Sequence, residues 1–356
     1  MRVIYEEIVR LLTDGKRAVL ATVIQQVGSA PRTSGAQMLI REDGSSLASV
    51  GGGRLEGEVL KEAPRVLKQG EARVLPFYLT GKDVADTDMI CGGNVQVFLE
   101  PLTRTQPEII KIFTALVEVK KTGGKGTLAT VVEPGPLGEH EGIKVLVTSD
   151  GRTIGSVELT PEAREAAQQV MVERVARLIP WGQGRLYMEP VFSEPTLYLF
   201  GAGHVSRYIA PVAKMVEFRV VVIDDRPEYA NSDYFPRADD IWVESFEGLG
   251  RKLDLDDDAY LVIVTRGHVH DYTVLKDVLG KGARYIGMIG SRRKRDLVYK
   301  QLKEDGVSQA GLAKVHSPIG LDIKAETPEE IAVSIVAELI RVRNEGSPAR
   351  RKDWAV

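Results

Sequence analysis

Two kinds of hydrophobic pattern divide the chain. In the second half, short apolar runs rich in strand formers recur at 197–200, 219–223, 241–243, 259–264 and 284–289, with helix-period patterns between several of them. Over residues 205–217, Tyr208, Ile209, Val212 and Val216 fall near one helical face. Thr327-Pro328-Glu329-Glu330 opens a final helix with an N-cap, a proline at the first helical position and a glutamate at the third, and Ile331, Ile335 and Leu339 carry its apolar face. This alternation predicts a Rossmann-like, doubly wound parallel sheet over 195–345, followed by a polar tail at 346–356.

The first half repeats itself. Leu20-Ala21-Thr22-Val23 recurs as Leu128-Ala129-Thr130-Val131. From Gly35, paired with Gly142, one constant offset matches Met38-Leu39-Ile40 with Val145-Leu146-Val147, Asp43-Gly44 with Asp150-Gly151, and Ser49-Val50 with Ser156-Val157. The Asp-Gly steps are hairpin signals. Each copy closes on a similar strand, Val97-Phe98-Leu99-Glu100-Pro101 and Leu186-Tyr187-Met188-Glu189-Pro190. Residues 1–190 therefore read as a duplicated α+β domain, with copies at about 1–104 and 105–190. Pro190 and Pro195 punctuate its boundary with the parallel-sheet domain.

Composition narrows the classes. With 356 residues, 43% apolar and 27% charged, the chain reads as a globular protein of two or three domains. A net charge of −3 argues against a general nucleic-acid binder. No apolar run approaches the ~18 residues of a membrane span. Glu6, Glu7 and Asp14 lie within the N-terminal apolar pattern, so that segment reads as a helix and not as a secretory signal. Cys91 is the single cysteine, which excludes an intramolecular disulfide and a multi-cysteine zinc site. A cytoplasmic location is the expectation.

The loop Phe200-Gly201-Ala202-Gly203-His204-Val205-Ser206 joins the first strand of the parallel domain to its helix. A glycine turn at such a junction lets backbone N–H groups meet a phosphate at a helix N-terminus. Gly201 and Gly203 match the dinucleotide fingerprint, whereas Ser206 replaces its third glycine and His204 stands at position four. Asp224 ends the second strand about 20 residues on, where such folds place a ribose-binding carboxylate. Arg226 beside it suits a 2′-phosphate or is a plain surface charge. His204, His268 and His316 are candidates to converge with Asp224 on the crevice, or else they cap helices. No His-x-x-x-His or comparable spacing argues for a bound metal, so none is expected.

In the first copy, Gly51-Gly52-Gly53-Arg54-Leu55-Glu56 follows a strand and opens a helix, where the second copy has Glu158-Leu159-Thr160-Pro161. Three glycines let N–H groups form an anion-binding concavity, to which Arg54 adds charge; Arg32 after Gly28 and Pro31 offers a second fork. The alternative is a tight turn with a structural Arg–Glu pair. Gly92 and Gly93 would leave the Cys91 thiol accessible to a ligand or to sulfur chemistry, or else Cys91 is a small buried hydrophobe.

Taken in order, these motifs resemble the xanthine dehydrogenase accessory factor family, also called XdhC/CoxI. The resemblance runs through Gly28–Arg32, Gly51–Glu56, Cys91-Gly92-Gly93, Gly201–Val205 and Asp224–Pro227. It continues through Thr265-Arg266-Gly267-His268, Gly287–Lys294, His316–Ile323 and Glu326–Ala332, and so covers nearly the whole chain. It implies a maturation factor for molybdenum hydroxylases of the xanthine dehydrogenase or carbon monoxide dehydrogenase type, a carrier and not an enzyme. Such a protein binds the molybdenum cofactor, an anionic pterin with a phosphate or a dinucleotide, protects it while sulfur is installed, and passes it to the apo-enzyme. Arg32, Gly51, Gly52, Gly53, Arg54, Glu56, Cys91, Gly201, Gly203, His204, Asp224 and His268 are the cofactor-binding candidates, and Cys91 is also the candidate sulfur handler. The expected partners are the molybdenum hydroxylase and, for the sulfur, a cysteine desulfurase; a homo-oligomer is expected as well. The competing readings are an NAD(P)-dependent oxidoreductase with His204 or His268 as acid or base, and a nucleotide-sensing regulatory protein.

Overall fold

The computed structural model describes residues 2–27, 34–78, 94–134, 140–253 and 255–345. The chain divides into two compact units, one running through Ser193 and the other starting at Glu194.

Unit 1 runs α1 (Arg2–Thr13), β1 (Ala18–Val27), β2 (Gln37–Arg41), β3 (Ser46–Ala48), α2 (Gly53–Gln69), β4 (Arg73–Tyr78) and β5 (Asn94–Leu102). It continues with α3 (Pro107–Thr122), β6 (Lys125–Glu133), β7 (Lys144–Thr148), β8 (Thr153–Gly155), α4 (Pro161–Glu173), β9 (Arg177–Trp181) and β10 (Gly184–Phe192). The strands form two five-stranded sheets of the same order, β3-β2-β1-β5-β4 and β8-β7-β6-β10-β9. Every pairing in them is antiparallel.

Side-chain alternation assigns the two faces of each sheet. Val19, Ala21, Val23, Met38, Ile40, Val97 and Leu99 pack with Leu55, Val59, Ala63 and Val66 of α2. In the second sheet, Ala129, Val131, Val145 and Met188 pack with Ala163, Ala167 and Val170 of α4. The opposite faces meet each other. Leu20, Leu39 and Leu102 share a core with Leu128, Leu146 and Val191 beneath α1 and α3. Ile24, Phe98, Val132 and Tyr187 form a smaller core of their own. The strands β4 and β9, which the repeat pattern does not single out, are half-exposed edges, each with a proline within it, Pro76 and Pro180.

A polar belt crosses the shared face. Thr22, Gln37 and Glu100 come from the first copy, Thr130, Lys144 and Glu189 from the second, and all are buried. Lys144 Nζ donates to Glu100 Oε1 at 2.8 Å and to Thr130 Oγ1 at 2.8 Å. Gln37 Nε2 donates to Glu189 Oε1 at 3.0 Å.

Unit 2 runs β11 (Thr196–Phe200), α5 (His204–Met215), β12 (Arg219–Asp224), β13 (Asp240–Val243), a 3₁₀ turn, β14 (Ala259–Ile263), α6 (His268–Val278) and β15 (Tyr285–Met288). It ends with α7 (Arg292–Glu304), α8 (Gln309–Leu312), β16 (Val315–His316) and α9 (Pro328–Asn344). The six strands are all parallel, in the order β13-β12-β11-β14-β15-β16. Leu197 and Leu199 point to the face covered by α5 and α9. Tyr198 and Phe200 point to the face covered by α6 and α7. The sheet is doubly wound, which is why its strands read as continuous apolar runs. β16 is too short to give such a run. The chain moves outward from β11 to β12 and β13, then returns to the other side of β11 as β14. The carboxyl ends of β11 and β14 therefore flank a topological switch point, where open α/β sheets bind ligands.

Candidate functional site

Two loops meet at the switch point. Gly201 has φ +106°, and a Cβ there would lie 2.5 Å from the Val264 carbonyl oxygen, so the β11–α5 loop rests directly on the end of β14. Gly201 is glycine for packing. Gly203 differs: its φ is −79° and nothing lies within 4 Å of where its Cβ would be. Gly267, at the equivalent place after β14, also faces open space. The same triplet, Gly-His-Val, opens both helices: Gly203-His204-Val205 for α5 and Gly267-His268-Val269 for α6. Neither N-terminus has a side-chain cap. Both present first-turn N–H groups and an exposed histidine on the same edge of the sheet, an arrangement suited to an anion.

Ser206 shows what replaced the third glycine. It is buried, and its hydroxyl donates to the Gly201 carbonyl, tying the first turn of α5 back to the loop.

Asp224 is 1% exposed, and its carboxylate is fully used. Oδ2 accepts the Ala202 N–H at 2.7 Å and Arg226 Nη2 at 3.0 Å; Oδ1 accepts the Arg226 N–H at 3.1 Å and Nε at 2.8 Å. Four donors saturate a carboxylate. Asp224 thus anchors the glycine loop to the end of β12, and its lone pairs are unavailable to a ribose diol. Asp225, next in the chain, pairs with Arg266 from the β14–α6 loop, with Nη2 at 2.9 Å from Oδ2. That hydrogen bond holds the Asp225 carboxyl down to about 2. Because β11 lies between β12 and β14, this ion pair crosses over the end of β11.

Behind the crevice, Asp271 in the first turn of α6 is fully buried, accepts the Thr265 hydroxyl at 2.6 Å and pairs with Lys294 of α7. Burial pushes its carboxyl up while Lys294 and Thr265 pull it back. The pair ties α6 to α7. His316 does not join His204 and His268: its Nδ1 lies 3.2 Å from Glu338 on α9 and its ring sits 4.5 Å from that of Tyr285. Glu338 also accepts the Tyr285 hydroxyl at 2.7 Å and the Gly320 N–H at 2.9 Å. Burial alone would raise the Glu338 carboxyl, but these bonds hold it down to about 2. His316 is therefore part of a structural network under β15 and β16.

The glycine turn of unit 1 carries its own anion. Gly51, Gly52 and Gly53 all have positive φ, and α2 starts with no side-chain cap on its N-terminal residue. Glu56 Oε2 accepts the Gly52 N–H at 3.2 Å and the Ser49 hydroxyl at 2.6 Å, while the Gly51 N–H reaches Ser49 Oγ at 3.1 Å. Glu56 therefore plugs the concavity from within instead of lining it. Arg54 is exposed at the first turn of α2. Arg32 and Cys91 lie outside the described residues. Among the described residues, Asp256, Asp257 and Asp258 bring carboxylate oxygens within 4.8 Å of one another. They precede β14, on the amino edge opposite the crevice, where the Asp258 N–H already donates to Asp256 Oδ1. No helix among the described residues is long and apolar enough to cross a membrane.

Residues 197–339 match the XdhC Rossmann domain, and residues 11–78 match the XdhC and CoxI family. A Bacillus subtilis protein described as a probable xanthine dehydrogenase subunit is 30% identical over 338 residues, covering 94% of this chain and 95% of that protein. The chain belongs to the XdhC and CoxI family. Another relative of this XdhC/CoxI chain is the molybdenum cofactor insertion chaperone PaoD of Escherichia coli, 24% identical over 342 residues, covering 96% of this chain and 88% of that one. A crystal structure described as a xanthine dehydrogenase from Bacillus halodurans superposes with a TM-score of 0.78 at 25% identity, covering 99% of this chain and 97% of that one. This chain spans about half the length of the Escherichia coli protein YqeB, to which it is 26% identical over 344 residues, 96% of this chain and 46% of that one.

Within this XdhC/CoxI fold, sequence reasoning singled out Gly201, Gly203, His204, Asp224 and His268, and the structure brings all five to one edge of unit 2. It missed Arg266 and Asp225. The signal that could have found Arg266 was the recurrence of Gly-His-Val, which marks the β14–α6 loop as a second copy of the β11–α5 turn.

Proposed function

We propose that this chain is a molybdenum-cofactor carrier and insertion factor. It binds the cofactor, shields it while sulfur is installed, and delivers it to an apo molybdenum hydroxylase. The observation that carries the reading is the near full-length likeness to PaoD, a molybdenum cofactor insertion chaperone. The crevice of unit 2 supports it chemically. The cargo is anionic and carries phosphate, and Gly203, His204, Gly267 and His268 offer two uncapped helix starts with open space before them. When bound, the cofactor supplies the molybdenum chemistry of the recipient enzyme. The chain's own residues hold, shield and release it. Cys91 is the proposed sulfur contact, and a cysteine desulfurase the proposed donor. The protein works in the cytoplasm as a homo-oligomer.

A second reading is favoured by one observation, the strand order with its switch point beside a glycine turn: unit 2 binds a nucleotide such as NAD(P) that governs cargo release. The deciding experiment is purification from cells competent in cofactor synthesis, followed by mass spectrometry of the bound small molecule. A molybdopterin species supports the carrier reading. A stoichiometric nicotinamide nucleotide alone, with turnover on a carbonyl substrate, overturns it.

A further inference from the structure

The corner of the crevice at the end of β12 is built against the ligand group that dinucleotide folds hold there. In those folds a carboxylate accepts the ribose hydroxyls. Here that carboxylate, Asp224, is buried and saturated by the Ala202 N–H and by Arg226. A ribose diol would meet no acceptor on Asp224. It would meet the Arg226 guanidinium, whose plane lies over the Tyr229 ring at 4.1 Å. On the other side of β11 stands Arg266, fixed by Asp225. Both guanidiniums are partly exposed and each is already oriented by a carboxylate. Gly203, in the loop that Asp224 anchors through the Ala202 N–H, faces open space. Two oriented forks gathered around Asp224 and Asp225, on the sheet edge that also carries two uncapped helix starts, suit an acceptor-rich, doubly charged group.

We infer that this corner binds a phosphate monoester, held by Arg226 and Arg266 where a dinucleotide fold would hold a ribose diol. The inference rests on the reading of unit 2 as the binding site for a phosphorylated cargo or nucleotide. Two sources share the chemistry: the terminal phosphate of a molybdopterin and the 2′-phosphate of a nicotinamide nucleotide.

Calorimetric titration of the full chain tests it with paired probes. The first pair is NADP⁺ and NAD⁺; the second is the oxidised, fluorescent derivative of molybdopterin with and without its phosphate. The phosphate-bearing member of at least one pair is expected to bind tighter by about tenfold or more, from one or two charge-assisted hydrogen bonds. The pair that shows the difference identifies the source. Arg226→Ala is expected to abolish the preference, and by uncovering Asp224 to improve NAD⁺ relative to NADP⁺. Arg266→Gln, at a more exposed position, is expected to reduce the preference and keeps the test open if Arg226→Ala does not fold. Equal affinity within both pairs overturns the inference and leaves the binding site standing. Failure of all four probes to bind overturns the site reading together with the inference. A preference that survives both substitutions places the phosphate elsewhere and also overturns it.

Discussion

Gln37 and Lys144 hold equivalent places in the two copies of unit 1, and each reaches across to the other copy's glutamate, Gln37 to Glu189 and Lys144 to Glu100. The equivalence is set by register: Gln37 pairs with Thr22 and Lys144 with Thr130 on the matching strands. Only one of the two bridges carries a cation. Breaking a buried ion pair on one side leaves an uncompensated charge, at a cost of about 3–5 kcal/mol. Lys144→Met is expected to destabilise unit 1 by that amount in urea denaturation. Combining it with Glu100→Met should restore most of the loss; no recovery in the double variant would mean that the pair is not what the single variant removes.

The belt holds two acids and one lysine, and burial pushes both carboxyls up. Burial pushes Glu189 up to about 7, with Lys144 opposing and Glu100 adding to the shift. The folded chain therefore binds a proton that the unfolded chain has released above about 4.5. The stabilisation from this group is complete below about pH 4.5, declines as the pH rises toward about 7, and is gone above it. Glu189→Gln should flatten that decline. Denaturation midpoints at pH 5, 6, 7 and 8 check this, and parallel pH profiles for the parent and the variant would reject it.

Gly201 and Gly203 are expected to answer differently to the same substitution. Gly201→Ala forces a Cβ to within 2.5 Å of the Val264 carbonyl at φ +106°, and should cost about 1–3 kcal/mol of unit 2 stability. Gly203→Ala meets open space at φ −79° and should leave the melting temperature nearly unchanged. Its effect should appear in ligand affinity. Comparable melting losses for both would put packing, and not ligand approach, behind Gly203.

Glu56 fills the concavity of the Gly51-Gly52-Gly53 turn, so removing it exposes an empty anion site. Glu56→Ala should lose about 1–2 kcal/mol by removing the carboxylate that accepts the Gly52 N–H and the Ser49 hydroxyl. Sulfate should then stabilise the variant more than the parent, by mass action on the vacated donors. Equal sulfate effects in thermal melts would show that the turn does not bind anions even when opened.

The large features were legible in the sequence because their signals are local. Buried parallel strands announce themselves as apolar runs, and the Thr327-Pro328-Glu329-Glu330 start of α9 forms the capping box that its residues spell. What was hidden depends on which partner each polar side chain takes once the chain has folded. Asp224 has the expected spacing, yet the donors that saturate it include Arg226, which also reads as a surface charge. Glu56 closes a glycine turn that reads as an anion site, and its own carboxylate occupies the donors that a ligand would use. His316 resembles His204 and His268 in the sequence, but its neighbour Glu338 lies on a helix far along the chain. Ser206 departs from the fingerprint for a reason that only the Gly201 carbonyl discloses.

The crossed bridges of the polar belt have a consequence for how the N-terminal unit can change. Each copy supplies an acid that takes its side-chain hydrogen bond from the other, so a single copy expressed alone would expose a carboxylate paired with its twin. Truncation at the repeat boundary should leave neither half able to fold. If neither half folds alone, the copy without the glycine turn is the scaffold on which its partner depends.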